Sequence, residues 1–459
     1  MKSFRKICAG ILAAGMCISV LGGCGENTTD NAKKRIRIWT GDTGSRTMFE
    51  QVVKEFNETT GKKNGIEVVY EAKGNLGDSL AVALQTNQAP EFFMGGSAAE
   101  YSEQGYITAI EDLPGGAELV KQYEGYLTEG KQTYNGKTYS LPFAASGTYG
   151  LIYNKDMFKK AGIVDEKGEA KPPKTYSELR QYAKLLTDTS KNRYGIVLPL
   201  KWGGWFDVDV RVMSSVNSGH YGYDYTTGEY DYSYLKPMME MLMGIKEDKS
   251  YMPGAEGLDN DPARARFAEG NIGMKFGVSW DVAVFNDQFP AKCDWGVAPL
   301  PVADENVRYA QQLAVNTGIK ISANGVKAFG EDKIMTVYKW IVSDETAKKL
   351  YELGAYIPFK SEILDGADTK KFKKGWRDFS EMVKISKTYP AVPNVDTSGE
   401  TLISENFLNN VWTGKMSVDE AIAQENCVQT EGRDKYKELH SDYDVDSFIA
   451  KDWNALLSE

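Results

Sequence analysis

Residues Arg35–Met94 read RIRIWTGDTGSRTMFEQVVKEFNETTGKKNGIEVVYEAKGNLGDSLAVALQTNQAPEFFM, and the apolar periodicity of this stretch switches back and forth between two patterns. Arg35–Thr40 alternates around Ile36 and Ile38, the pattern of a half-buried strand. Gly41–Gly44 (GDTG) breaks the run as a turn. Met48, Phe49, Val52, Val53 and Phe56 then recur at helical spacing as far as Gly61, a candidate C-terminal cap. Ile66–Tyr70 predicts a second strand, Leu80, Ala83 and Leu84 a second helix, and Glu91–Met94 a short strand after Pro90. Strand alternating with helix predicts an α/β fold with a parallel sheet. Such sheets bind ligands beyond the carboxyl ends of their strands, where the loops Gly41–Gly44 and Gly95–Ser97 fall.

Further along, Leu141–Lys155 (LPFAASGTYGLIYNK) is apolar but holds Gly147 and Gly150 on either side of Tyr149. Glycine in such a run predicts a bend or a close approach, as where the chain crosses between two lobes. Thr175–Glu178 predicts a capping box with a helix behind it, and Ser417–Glu420 predicts another. Ser343 is a candidate N-cap for a helix ending near Gly354. After residue 34 there is no linker long enough to separate independent domains, and no repeat of fixed period. Two closely joined lobes fit better than a string of domains.

The chain has 459 residues, 42% hydrophobic and 26% charged, which excludes a disordered, collagenous or polytopic membrane protein. The net charge is -10 with no basic block, which argues against nucleic acid as a partner. The two histidines, His220 and His440, leave little from which to build a zinc or Ser-His centre. No cofactor and no metal are expected. Asp207 with Asp209, and Asp259 with Asp261, lack the fuller spacing of a calcium loop and read as solvated or capping acids. Tyr221, Tyr223, Tyr225, Tyr230, Tyr232 and Tyr234 form a dense cluster, readable as a strand face or as a surface loop over a cleft.

At the N-terminus, Lys2, Arg5 and Lys6 precede the apolar run Ile7–Leu21, the pattern of a signal peptide over residues 1–23. Leu21-Gly22-Gly23-Cys24 resembles a bacterial lipobox. Lipidation of Cys24 with palmitate-type acyl chains would anchor the protein to the outer face of the cell membrane, with residues 24–34 as a flexible tether. Cys293 and Cys427 are then the remaining cysteines, paired or free, with free thiols favoured.

Several segments carry a family resemblance: Ile36–Gly44 (IRIWTGDTG), Tyr134–Leu141 (YNGKTYSL), Leu151–Asp156 (LIYNKD), Pro172–Leu179 (PPKTYSEL), Phe267–Trp280 (FAEGNIGMKFGVSW), Ala298–Pro301 (APLP), Gly354–Ser361 (GAYIPFKS) and Trp412–Ala421 (WTGKMSVDEA). In this order, over most of the chain and behind a lipobox, they resemble the extracytoplasmic solute-binding proteins of bacterial carbohydrate ABC importers, the family 1 group that includes maltose-binding protein. The resemblance implies a two-lobed periplasmic-binding-protein-like α/β fold of type II, with a ligand cleft between lobes joined by crossing segments and closing about a hinge. It places the lobes at 35–146 with 305–355 and at 147–304 with 356–459. It implies a monomeric receptor that captures a carbohydrate, in the form of an oligosaccharide, and hands it unaltered to a permease. Two alternatives stand beside it: a binding protein for a non-sugar solute, and a secreted glycan-cleaving enzyme, for which no catalytic dyad is implied.

A sugar needs flat aromatic surface for its C–H faces and polar side chains for its hydroxyls. By the resemblance, Trp280 is the stacking indole at the end of a Gly-rich strand. Trp202 and Trp205 bracket Gly203-Gly204 at the cleft, Ser146 and Tyr149 lie in the crossing segment, and Tyr356 lies where the chain returns to the second lobe. Asp42 matches an acidic sugar ligand, or caps the helix that follows it, and Thr43 replaces a basic neighbour. Phe93, Gly96 and Ser97 stand where the maltose-binding members carry Trp, Asp and Arg, a departure that argues against maltose itself.

Overall fold

A computed structural model describes residues 35–457, so the signal-peptide, lipobox and tether readings on residues 1–34 lie outside the described residues. Ile36–Thr40 forms a strand with Ile36 and Ile38 buried. In helix Arg46–Phe56, Phe49, Val52, Val53 and Phe56 are buried, one stripe at helical spacing against the sheet. Burial of such a side chain contributes about 1.5–3 kcal/mol, so this stripe fixes the helix more firmly than its weak N-terminus does. The first sheet runs Val68–Ala72, Ile36–Thr40, Phe92–Met94, Ile319–Ile321, Ser140–Leu141. Its first three strands are parallel, as the alternation of helix and strand requires, and the last two pair antiparallel.

A second sheet runs Trp295–Ala298, Tyr149–Asn154, Ile272–Val278, Tyr194–Ile196. Its two central strands are buried at every position, which is why they read as unbroken apolar runs. Between the sheets, Ala145–Gly147 pairs antiparallel with Ala314–Val315. Ala145 N also donates to Ile357 O at 2.9 Å, which brings a third segment alongside. Tyr309 N and Ala310 N donate to Val216 O and Ala455 O, so the approach to the second crossing is held by partners on the second sheet's side.

Several local expectations change. Gly61 does not end its helix. The chain continues through a wider turn to Asn64 and stops at Gly65, whose φ of 63° is left-handed. The second strand sits at Val68–Ala72, two residues later than its apolar pattern suggests. At Thr175 only half of the box forms: Thr175 Oγ1 accepts from Glu178 N, while the Glu178 carboxylate reaches Lys174 N instead. Ser417 and Glu420 form the full reciprocal box, and Ser343 caps helix Asp344–Glu352.

The tyrosine cluster is not a surface loop. Tyr223, Tyr225, Tyr232 and Tyr234 are buried, and Tyr223–Asp224 pairs with Glu229–Tyr230 as a small hairpin. Tyr225 packs edge-on against Tyr389 and Trp453, which covers the hairpin with the C-terminal segment. Cys293 and Cys427 are free thiols.

Candidate ligand-binding cleft

The loop after the first strand is organised by Asp42. Its Oδ1 accepts from Gly44 N at 2.9 Å and Ser45 N at 3.1 Å, which holds the start of helix Arg46–Phe56. Its Oδ2 accepts from Tyr356 Oη at 2.6 Å. Tyr356 is half-buried and edge-on to Phe143, with ring centroids 5.4 Å apart. Burial, reinforced by the Asp42 carboxylate, pushes the Tyr356 hydroxyl far up, so it stays a donor. Asp42 therefore takes the capping role, holding the turn and tying it to the returning segment. Thr43 is exposed beside it.

The loop after Phe92–Met94 lies nearby, since Leu76 sits under both Gly41 and Gly95. Gly96 has a φ of 72°, and a Cβ there would fall 2.0 Å from the Tyr101 ring, so no larger residue fits. Ser97 Oγ accepts from Glu100 N and caps helix Ala98–Glu103. Phe93 corrects the sequence reading. It is fully buried among Leu80, Ala83, Leu84 and Ile107, because helix Leu76–Gln85 covers that face of the sheet.

The second sheet supplies the opposite chemistry. Ile272–Val278 ends at Ser279-Trp280, and the indole is 45% exposed although the strand is wholly buried. A Cβ on Gly147 would lie 3.3 Å from Trp280 Cζ3 and 2.8 Å from Val278 Cγ1, so the indole rests directly on the crossing strand. Ser146 is exposed on that strand. Tyr149, opposite Val278 in the ladder, is buried, and burial pushes its hydroxyl up to about 12.

The two neighbouring tryptophans part company. Trp202 is half-buried and lines a cavity of about 790 Å³ together with Asp259, Asn260, Asp261, Arg264 and Trp280. Trp205 is 1% exposed and packs on Phe206 and Phe407, so it is core rather than cleft, held there by residues far along the chain.

The cavity's polar lining escaped the sequence reading, which took Asp259 and Asp261 as solvated or capping acids and not as part of a site; for Asp259 the capping role holds. Asp259 caps helix Asn260–Ala268 by accepting from Asn260 N. Arg264 Nε is 2.6 Å from Asp281 Oδ1, and its Nη1 is 2.8 Å from Asp261 Oδ1. Asp281 directly follows Trp280, and its Oδ2 accepts from Val278 N and lies 3.7 Å from Lys275 Nζ. Asp209 is buried near these groups, and burial, opposed by Lys275, pushes its carboxyl up to about 7. Asp207 pairs with Arg211 on the outside of the same turn. The available signal was the Asp-Asn-Asp-Pro helix start at 259–262, a polar helix N-terminus just ahead of the Gly-rich strand.

Two α/β sheets joined by crossing strands, with an exposed indole at the junction, define a two-lobed solute-binding architecture. Residues 42–348 match the family of bacterial extracellular solute-binding proteins, and the chain belongs to that family. It is 27% identical to the maltotriose-binding protein of Pyrococcus abyssi over 313 residues, 66% of this chain and 62% of that protein. It is 25% identical to the sn-glycerol-3-phosphate-binding periplasmic protein of Pectobacterium atrosepticum over 411 residues, 82% of this chain and 87% of that one. In fold it is similar to a sugar transporter of Rhizobium etli in an open conformation, with a TM-score of 0.63, 18% identity and coverage of 86% and 99%. The maltotriose-bound maltose/maltodextrin-binding domain from Bdellovibrio bacteriovorus superposes with a TM-score of 0.56, 19% identity and coverage of 87% and 99%.

Proposed function

We propose that this protein is a membrane-anchored receptor that captures a carbohydrate, best an oligosaccharide, and delivers it unaltered to the permease of an ABC importer. It acts as a monomer on the outer face of the cell membrane, held by lipid on Cys24. Its lobes are drawn at 35–146 with 305–355 and at 147–304 with 356–459, and the solute binds where the crossing strands pass between them. The observation that carries the reading is Trp280: a large, rigid aromatic face left 45% exposed at the end of a buried strand, beside a cavity lined with hydrogen-bonding side chains. Stacking on such a face with hydroxyls bound at its rim is the chemistry a saccharide needs. No covalent step is invoked, and affinity arises from burial and hydrogen bonds alone.

The test is a thermal-shift screen of the mature protein against mono- and oligosaccharides. A ligand at 100 times its Kd adds about 2.7 kcal/mol of stability, a readily measured shift. Absence of any shift across neutral saccharides would refute the carbohydrate reading. Cys24→Ala is expected to move the protein from the membrane to the soluble fraction. Retention in the membrane would refute the anchor.

A further inference from the structure

We propose that Asp261 sets the charge selectivity of the Trp202–Trp280 cavity. It occupies the guanidinium edge of Arg264 that would otherwise receive an acidic group, and so restricts the cavity to solutes without phosphate or carboxylate. The proposal rests on this cavity being the solute site.

Arg264 is the one cation among the described residues that line the cavity. Its fork is already engaged on two sides, through Nε to Asp281 and through Nη1 to Asp261. The two carboxylates differ in character. Asp281 is 1% exposed and also accepts from the backbone of Val278, so it belongs to the frame under Trp280. Asp261 has 58% of its side chain exposed, and Arg264 is its one ion-pair partner among the described residues. A free guanidinium edge is the side-chain group best matched to a phosphate or carboxylate, because it donates two parallel bonds to two oxygens. Asp261 fills that position and adds a negative charge at the rim, where Asp259 already stands without an ion pair among the described residues.

A separate observation points the same way. Asn260 lines the cavity and is 8% exposed, and its Oδ1 has no hydrogen-bond partner. A buried, unfilled acceptor favours a ligand that brings a donor, such as a hydroxyl, and disfavours one that brings more acceptors. Asp261 stands at the rim with more than half of its side chain exposed, so its carboxylate contributes little to folding. Its loss therefore leaves a folded protein to test.

The experiment is titration calorimetry of the mature protein and of Asp261→Asn with glucose, maltotriose, glucose 6-phosphate and sn-glycerol 3-phosphate. The wild type is expected to discriminate against both phosphates. Asp261→Asn is expected to gain at least about tenfold in affinity for a phosphate probe, a gain that weakens with added salt and vanishes in Asp261→Asn/Arg264→Gln measured at a temperature where its melting curve shows it folded. No gain in the single variant, or a gain that survives loss of Arg264, overturns the proposal, as does a wild type that binds a phosphate more tightly than any neutral probe. A wild type that takes no saccharide while the variant gains phosphate would sink the carbohydrate reading and leave the role of Asp261 standing.

Discussion

Each sheet carries one lysine buried in a strand interior, and the two are treated in opposite ways. Lys275, in the second sheet, donates to Phe276 O and lies 3.7 Å from Asp281, with Arg264 and Asp209 close by. Lys320, in the first sheet, is fully buried and its Nζ has no hydrogen-bond partner. The contrast extends to the cleft loops. On the first sheet, Asp42, Ser97 and Phe93 are occupied in holding their own turns, helix and core. On the second, Trp280 stays uncovered and a network of charges lies beneath it. One half of the molecule thus has its polar groups spent internally, whereas the other holds a charged frame under an open aromatic face.

The largest expected effect tests that frame. Lys275→Met leaves Asp209 and Asp281 with less positive charge in a buried setting, and losing one member of a buried ionic group costs about 3–5 kcal/mol. Urea denaturation near pH 7 measures it, and a loss under about 1 kcal/mol would show that the cluster is not coupled.

Lys320→Met is expected to act in the reverse direction. Burial depresses the Lys320 pKa from 10.5 to about 8. Between those values the unfolded chain binds more protons than the folded one, so wild-type stability rises with pH across that window, and the penalty is complete below it. The methionine variant should gain about 3 kcal/mol at pH 7, with the difference shrinking as pH climbs toward 10.5. A variant no more stable than wild type at pH 7 would mean that Lys320 has a partner after all.

Trp280→Ala should weaken saccharide binding at least about tenfold, or about 1.4 kcal/mol, without lowering the unfolding midpoint. Asp42→Asn, by contrast, should lower stability as well as affinity, because Asp42 holds two backbone amides and Tyr356. Calorimetry paired with melting separates the two patterns, and equal behaviour would erase the asymmetry. The smallest effect is Ser97→Ala, expected to cost about 1 kcal/mol of stability through the lost cap. Affinity lost with stability intact would place Ser97 in direct contact with solute instead.

The alternation of strand and helix in residues 35–94 was readable because each element buries one face and its period survives in the chain. Trp280 was singled out through the family resemblance of the Gly-rich strand that it ends, and the structure leaves it 45% exposed there. The positions of Phe93 and Trp205 were not readable. Their burial depends on helix Leu76–Gln85 folding over one sheet face and on Phe407, partners that no local pattern reveals. Arg264 was passed over because a charged residue on a helix ordinarily faces water. Only the return of Asp281 from the neighbouring strand makes it part of a cavity wall.

The contact between Gly147 and the Trp280 ring has a mechanical corollary. The indole lies against the very strand that passes from one sheet to the other, with no residue interposed. Under the proposed function, cargo stacked on the ring would load that strand directly, and sensing and bending would need no relay.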